Sequence, residues 1–86
     1  MRVKVRVVLS PKAAKYLERL HEPTKGRIKA ALKKLEQEPP QGDIKALAGR
    51  EGYRLRVGAY RVLFGIDEDV IVVIEIDLRG QVYNRR

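Results

Sequence analysis

Apolar and polar residues alternate from the start of the chain. In RVKVRVVL, residues 2 to 9, Val3, Val5, Val7 and Leu9 fall on one side and Arg2, Lys4 and Arg6 on the other, which is the period of a half-buried strand. The period then changes. Ser10-Pro11 reads as an N-cap followed by proline at the first helical position, and Ala13, Ala14, Leu17 and Leu20 set an apolar stripe on a helix running to about His21. A short break at Glu22-Pro23 leads into a second helix, where Ile28, Ala31, Leu32 and Leu35 repeat at helical spacing and Pro39-Pro40 ends the run. The two helices form a hairpin whose outer face carries lysine and arginine.

From Gln41 to Gly52 the pattern is that of a polar connector with a short turn at IKAL, and three strands follow. Gly58-Ala59 suits a two-residue type II′ turn, with glycine at the position that needs positive φ. That turn pairs Val57 with Tyr60, Arg56 with Arg61, Leu55 with Val62 and Tyr53 with Phe64, and puts the core-type residues on one face. For the next hairpin a three-residue turn, Asp67-Glu68-Asp69, is expected, pairing Ile66 with Val70, Phe64 with Val72 and Val62 with Ile74. A tight turn at Glu68-Asp69 would send the apolar faces of the two strands to opposite sides. The expected fold is a single α+β domain over residues 1–86: two N-terminal helices packed on one face of a small, mainly antiparallel four-stranded sheet, in the order β-α-α-β-β-β.

Composition and charge add to this picture. The 86 residues carry a formal net charge of +8, and a small domain this basic suits phosphate backbones. The absence of cysteine excludes disulfides and thiolate metal sites. The valine-interrupted N-terminus lacks the continuous apolar core of a secretory signal, and the run VIVVI is too short to span a bilayer. A soluble cytoplasmic protein is therefore expected. Placement of the charge is more informative than its amount. The predicted register puts Arg54, Arg56 and Arg61 on the face away from the helices, with Glu75 opposite Arg61, Asp77 and Arg79 pointing the same way, and Arg2, Lys4 and Arg6 added from the first strand. Opposed like charges on paired strands cost a few tenths to ~1 kcal/mol, so a sheet that gathers arginines reads as an anion-binding surface. Leu63, Ile71 and Val73 are expected on the same face, as apolar area for a partner to cover.

The chain order, the segment YRLRVGAYRVLF at residues 53 to 64, and Arg79 shortly before Tyr83 in LRGQVYNRR together resemble the RelE family of toxins, and the similarity covers essentially the whole chain. The resemblance implies a ribosome-dependent endoribonuclease that cuts mRNA in the decoding site, held inactive by a cognate antitoxin. It also implies a metal-free reaction without cofactor, in which a ribose 2′-oxygen attacks the adjacent phosphorus and leaves a 2′,3′-cyclic phosphate. On the matching positions, Arg61 is the central phosphate-binding arginine, Arg79 the basic residue near the leaving 5′-oxygen, and Tyr83 the general base or, alternatively, a stacking platform for a base. Arg54 and Arg56 stand where some relatives carry lysines. Guanidinium groups clamp phosphate but transfer protons poorly. The resemblance further implies partners: mRNA, the antitoxin, and the small ribosomal subunit with its rRNA, for which Arg27, Lys29, Lys33 and Lys34 of the second helix are candidate contacts.

Other chemistries find little support. His21 is the sole histidine and sits at a helix end, and Asp67, Glu68 and Asp69 are explained by a strand turn rather than a cation site. Two other functional classes share these features. ParE-type toxins resemble the architecture but inhibit DNA gyrase without hydrolysing nucleic acid, and a plain nucleic-acid-binding module would use the basic face for phosphate contacts alone.

Overall fold

A computed structural model describes residues 5–37 and 39–78. The elements are β1 (Arg6–Leu9), α1 (Pro11–Arg19), α2 (Thr24–Lys34), β2 (Asp43–Ala46), β3 (Tyr53–Val57), β4 (Tyr60–Asp67) and β5 (Val70–Leu78). The strands form one mixed sheet in the order β1-β5-β4-β3-β2, with β1 parallel to β5 and the other pairs antiparallel. The class is α+β as expected, but the sheet has five strands rather than four.

The extra strand is β2, which the sequence presented as a connector. Asp, Lys and Ala are weak strand formers, and only Ile44 carries an inward signal. The strand forms because β3 offers an open edge, on which Ile44 pairs with Leu55 and joins the core rim. Gly42 permits the entry. Its φ is +132°, and a Cβ there would lie 2.7 Å from Leu55 Cδ1.

Helix α1 begins as its sequence requires. Ser10 is extended, and its hydroxyl accepts from the Ala13 backbone N–H at 3.0 Å. The same hydroxyl donates to the Ile74 carbonyl at 2.8 Å, and the Ser10 N–H donates to the Val73 carbonyl at 2.8 Å. The cap thus ties α1 to β5. The helix ends at Arg19, two residues before His21, and Ala14 is exposed rather than buried. Ala13 and Leu17 carry the contact instead, joined by Ile28, Leu32 and Leu35 from the α2 region and by Leu55, Val62, Phe64, Ile71, Val73 and Ile76 from the sheet. Helix α2 stops at Lys34, ahead of the prolines, and the Glu36 carboxylate accepts from the Val7 N–H at 3.1 Å. That bond occupies a donor on the outer edge of β1, since the alternate N–H groups of Arg6 and Ser10 point to β5.

The first hairpin has the expected register, with Gly58 at φ +60°. The second does not. Its turn is tight, pairing Asp67 with Val70, Ile66 with Ile71 and Phe64 with Val73, and Glu68 takes φ +58°. Ile74 then has no partner, and pairing resumes with Leu63 opposite Glu75, Val62 opposite Ile76 and Arg61 opposite Asp77. This bulge resolves the objection to a tight turn, because one extra residue restores the apolar phase halfway along the strand. Two expectations are corrected with it. Ile71 and Val73 lie in the core, at 1% and 0% exposure, leaving Leu63 on the far face, and the residue across from Arg61 is Asp77 rather than Glu75.

Candidate nucleic-acid interface

Alternation along β2 to β5 lays two cross-strand rows on the sheet face turned away from the helices. One row reads Asp43, Arg56, Arg61, Asp77, and the next reads Lys45, Arg54, Leu63, Glu75. The sequence-predicted Arg54, Arg56 and Arg61 are therefore together, with Arg56 and Arg61 directly opposed. Arg6 of β1 is exposed, and β1 lies beyond β5, farther along the sheet. Arg2, Lys4, Arg79 and Tyr83 lie outside the described residues. Arg27, Lys29, Lys33 and Lys34 are all exposed on α2, which packs on the opposite face and is separate from the rows.

The rows are less uniformly basic than the sequence suggests. Lys45, Arg54, Arg56 and Arg61 are interleaved with Asp43, Glu75 and Asp77. Arg61 Nη2 donates to Asp77 Oδ2 at 3.2 Å, with the two side chains 27% and 21% exposed. Arg54 approaches Asp43 at 3.9 Å, too far for a hydrogen bond. Glu75 turns to Lys12 of α1, at 3.5 Å, and Arg56 has no ion-pair partner among the described residues. Asp43 and Asp77 are the residues that sequence reasoning passed over as charge partners. The opposition of Arg56 and Arg61 was the signal for acids at the row's ends, but Asp43 needed β2, and Asp77 needed the bulge.

Pairing within the rows is incomplete. Arg54 Nη1, Arg56 Nε, Arg61 Nε and Asp77 Oδ1 are buried and have no hydrogen-bond partner. A buried polar group left unpaired costs about 1–3 kcal/mol. Unmatched guanidinium donors on two adjacent strands, Arg54 and Arg56 of β3 and Arg61 of β4, have the chemistry to bind an oxyanion. Next to them, a groove of about 630 Å³ is lined by Leu47, Gly52, Gly65, Ile66 and Ile74, with Arg50 and Glu51 among its other residues. The guanidinium groups of Arg54, Arg56 and Arg61 do not take part in its lining. Burial first, and then Tyr60 and Asp77, push the phenol of Tyr16 on α1 above the usual value, which keeps it protonated. Among the described residues, no group of three His, Cys, Asp or Glu side chains is placed to hold a metal ion, and no helix is long and apolar enough to cross a membrane.

Comparison with known proteins decides the family. Residues 7–83 match the family described as ParE toxin of type II toxin-antitoxin system, parDE. The chain belongs to this family of the RelE/ParE toxin superfamily. Among solved structures, the toxin is similar to the archaeal RelE–RelB complex from Pyrococcus horikoshii OT3, with 28% identity and a TM-score of 0.77 over 92% of this chain and 99% of that one. It is also similar to the toxin-antitoxin complex RelBE2 from Mycobacterium tuberculosis, with 26% identity and a TM-score of 0.74, covering 90% of this chain and 100% of that one. The YoeB dimer from Staphylococcus aureus, at 19% identity and a TM-score of 0.66 over 85% of this toxin and 94% of that chain, shares the fold. No curated protein sequence matches the toxin. The toxin is thus a type II toxin–antitoxin toxin, and the expected RelE resemblance holds.

Proposed function

We propose that this toxin is a ribosome-dependent endoribonuclease that cleaves mRNA in the decoding (A) site and thereby stops translation. The observation that carries the reading is the cluster of unpaired guanidinium nitrogens on Arg54, Arg56 and Arg61. In the proposed reaction the substrate's 2′-oxygen attacks the adjacent phosphorus, the bond from phosphorus to the 5′-oxygen breaks, and a 2′,3′-cyclic phosphate remains. Arg61 stabilises the charge that gathers on the phosphoryl oxygens, with Arg54 and Arg56 orienting the phosphate through charge-assisted bonds. Tyr83 takes the proton from the 2′-hydroxyl, and Arg79 stabilises the leaving 5′-oxygen.

The proposed partners follow from the same reading. Relatives of the toxin were solved in complex with RelB antitoxins, which supports a cognate antitoxin here, with acidic residues to meet the arginine rows. Arg27, Lys29, Lys33 and Lys34, exposed on α2, would contact the rRNA of the small subunit. The site of action is then the cytoplasm.

The test is to add the purified toxin to translating ribosomes and map new mRNA ends. Cuts confined to the decoding site and bearing cyclic phosphate are expected, reduced about 10²–10³-fold in Arg61→Ala and lost in Tyr83→Phe. A second reading, gyrase inhibition without nuclease activity, draws on the family description itself, which names ParE. Intact mRNA together with blocked DNA supercoiling by gyrase would select it.

A further inference from the structure

The Arg61–Asp77 pair is not built as a carboxylate that simply braces a guanidinium. Such a brace meets the guanidinium with both oxygens in parallel bonds. Here one bond of 3.2 Å joins Arg61 Nη2 to Asp77 Oδ2, while Arg61 Nε and Asp77 Oδ1 are buried with no partner. Arg56 Nε and Arg54 Nη1 are in the same state. Unmatched donors and one unmatched acceptor therefore lie on neighbouring residues, with Arg56, Arg61 and Asp77 in one cross-strand row and Arg54 in the next. The donors suit an oxyanion, and Asp77 Oδ1 is the atom that such an anion would repel.

We infer that Asp77 is a resident competitor for the anion, a positioning residue that neutralises Arg61 in the free toxin and must yield Nη2 before a phosphate is gripped. The inference rests on the phosphate-binding reading above. The backbone register holds Asp77 directly across from Arg61, so its carboxylate can swing but not leave, and Cβ atoms so paired lie only about 4.5–5.5 Å apart. A phosphate on Arg61 sits within reach of this negative charge. Both side chains are largely sheltered, so water screens the repulsion only in part. Asp43, at the other end of the row, differs in each respect. It stands 3.9 Å from Arg54 and its side chain is 54% exposed. The row is therefore asymmetric, with one acid that competes and one that is mostly screened.

The experiment measures binding of the full chain to a short single-stranded oligodeoxynucleotide, whose missing 2′-hydroxyl prevents cleavage, by fluorescence anisotropy over a salt series. Asp77→Asn is expected to tighten binding roughly tenfold and to steepen the log-affinity against log-salt slope by about 0.7, the value of one more neutralised phosphate on a single strand. Asp77→Ser should repeat the gain, Asp43→Asn should give a smaller one, and in an Arg61→Ala background Asp77→Asn should change nothing. Circular dichroism reports that each variant is folded. Weaker or unchanged binding in both Asp77 variants, with Arg61→Ala still binding poorly, would overturn the inference and leave the phosphate site standing. Wild-type affinity in Arg61→Ala would remove both.

Discussion

The two faces of the sheet are made by the same strands and obey opposite rules. On the helix-covered face, Leu55, Val62, Phe64, Ile71, Val73 and Ile76 are almost fully buried and interlock with α1 and α2. On the other, the neighbouring residues Arg54, Arg56, Arg61 and Asp77 hold like charges in direct opposition and leave buried polar atoms unmatched. Apolar burial is non-directional and roughly proportional to area, so the first face secures the fold even while the second departs from local preference. Departures of this kind concentrate where a protein works. The contrast also explains how the backbone positions of the arginines are fixed, since each is anchored on a strand whose alternate residues are in the core.

The sharpest way to break the comparison is to exchange the roles of the faces. Phe64→Ala opens a cavity beneath the sheet and should destabilise the toxin by about 3–5 kcal/mol, read from the midpoint of urea unfolding. Arg61→Ala, three residues away, strips Asp77 of its hydrogen bond and should cost less, about 1–3 kcal/mol, despite its large effect on cleavage. Equal losses in the two variants would show that the arginine row supports the fold. Ser10→Ala removes the α1 cap and the bond to the Ile74 carbonyl together, and is expected to cost about 1–2 kcal/mol in the same assay. The smallest effect has the opposite sign. Arg56→Gln relieves the opposition to Arg61 and should stabilise by about 0.2–1 kcal/mol, while weakening oligonucleotide binding. A loss of stability there would mean that the Arg56 side chain supports the row rather than straining it.

Much of this was legible in the chain because the signals were local. Ser10-Pro11 named the start of α1, Gly58 named the turn and register of the β3–β4 hairpin, and that register alone brought Arg54, Arg56 and Arg61 to one face. The failures were non-local. Asp43–Ala46 becomes a strand only through the edge of β3, which no pattern inside those four residues records. In β5, VIVVI is apolar at every position, so alternation does not say which set points inward until Glu75 and Asp77 must be kept out of the core. The three-residue turn placed Glu75, Ile76 and Asp77 on their observed sides, but it put Ile71 and Val73 on the wrong one and slid the register opposite Arg61 by two residues. The site inherited the same limit. Its arginines were readable, whereas its acid partners depended on strand pairings that had to be seen.

The surplus residue in β5 divides that strand into two reading phases. Ahead of Ile74 the odd-numbered positions are inside, and beyond it the even-numbered Ile76 is inside while Asp77 faces Arg61. Were Ile74 paired regularly with Leu63 instead of bulged, Glu75 would fall opposite Val62 on the helix side and Asp77 would turn away from the arginines, although no residue of either face had been substituted. The tip at Glu68-Asp69 and the bulge at Ile74 together set which residues of β5 meet β4. Ser10, bonded to the Ile74 carbonyl, marks the place where the frame between them is kept.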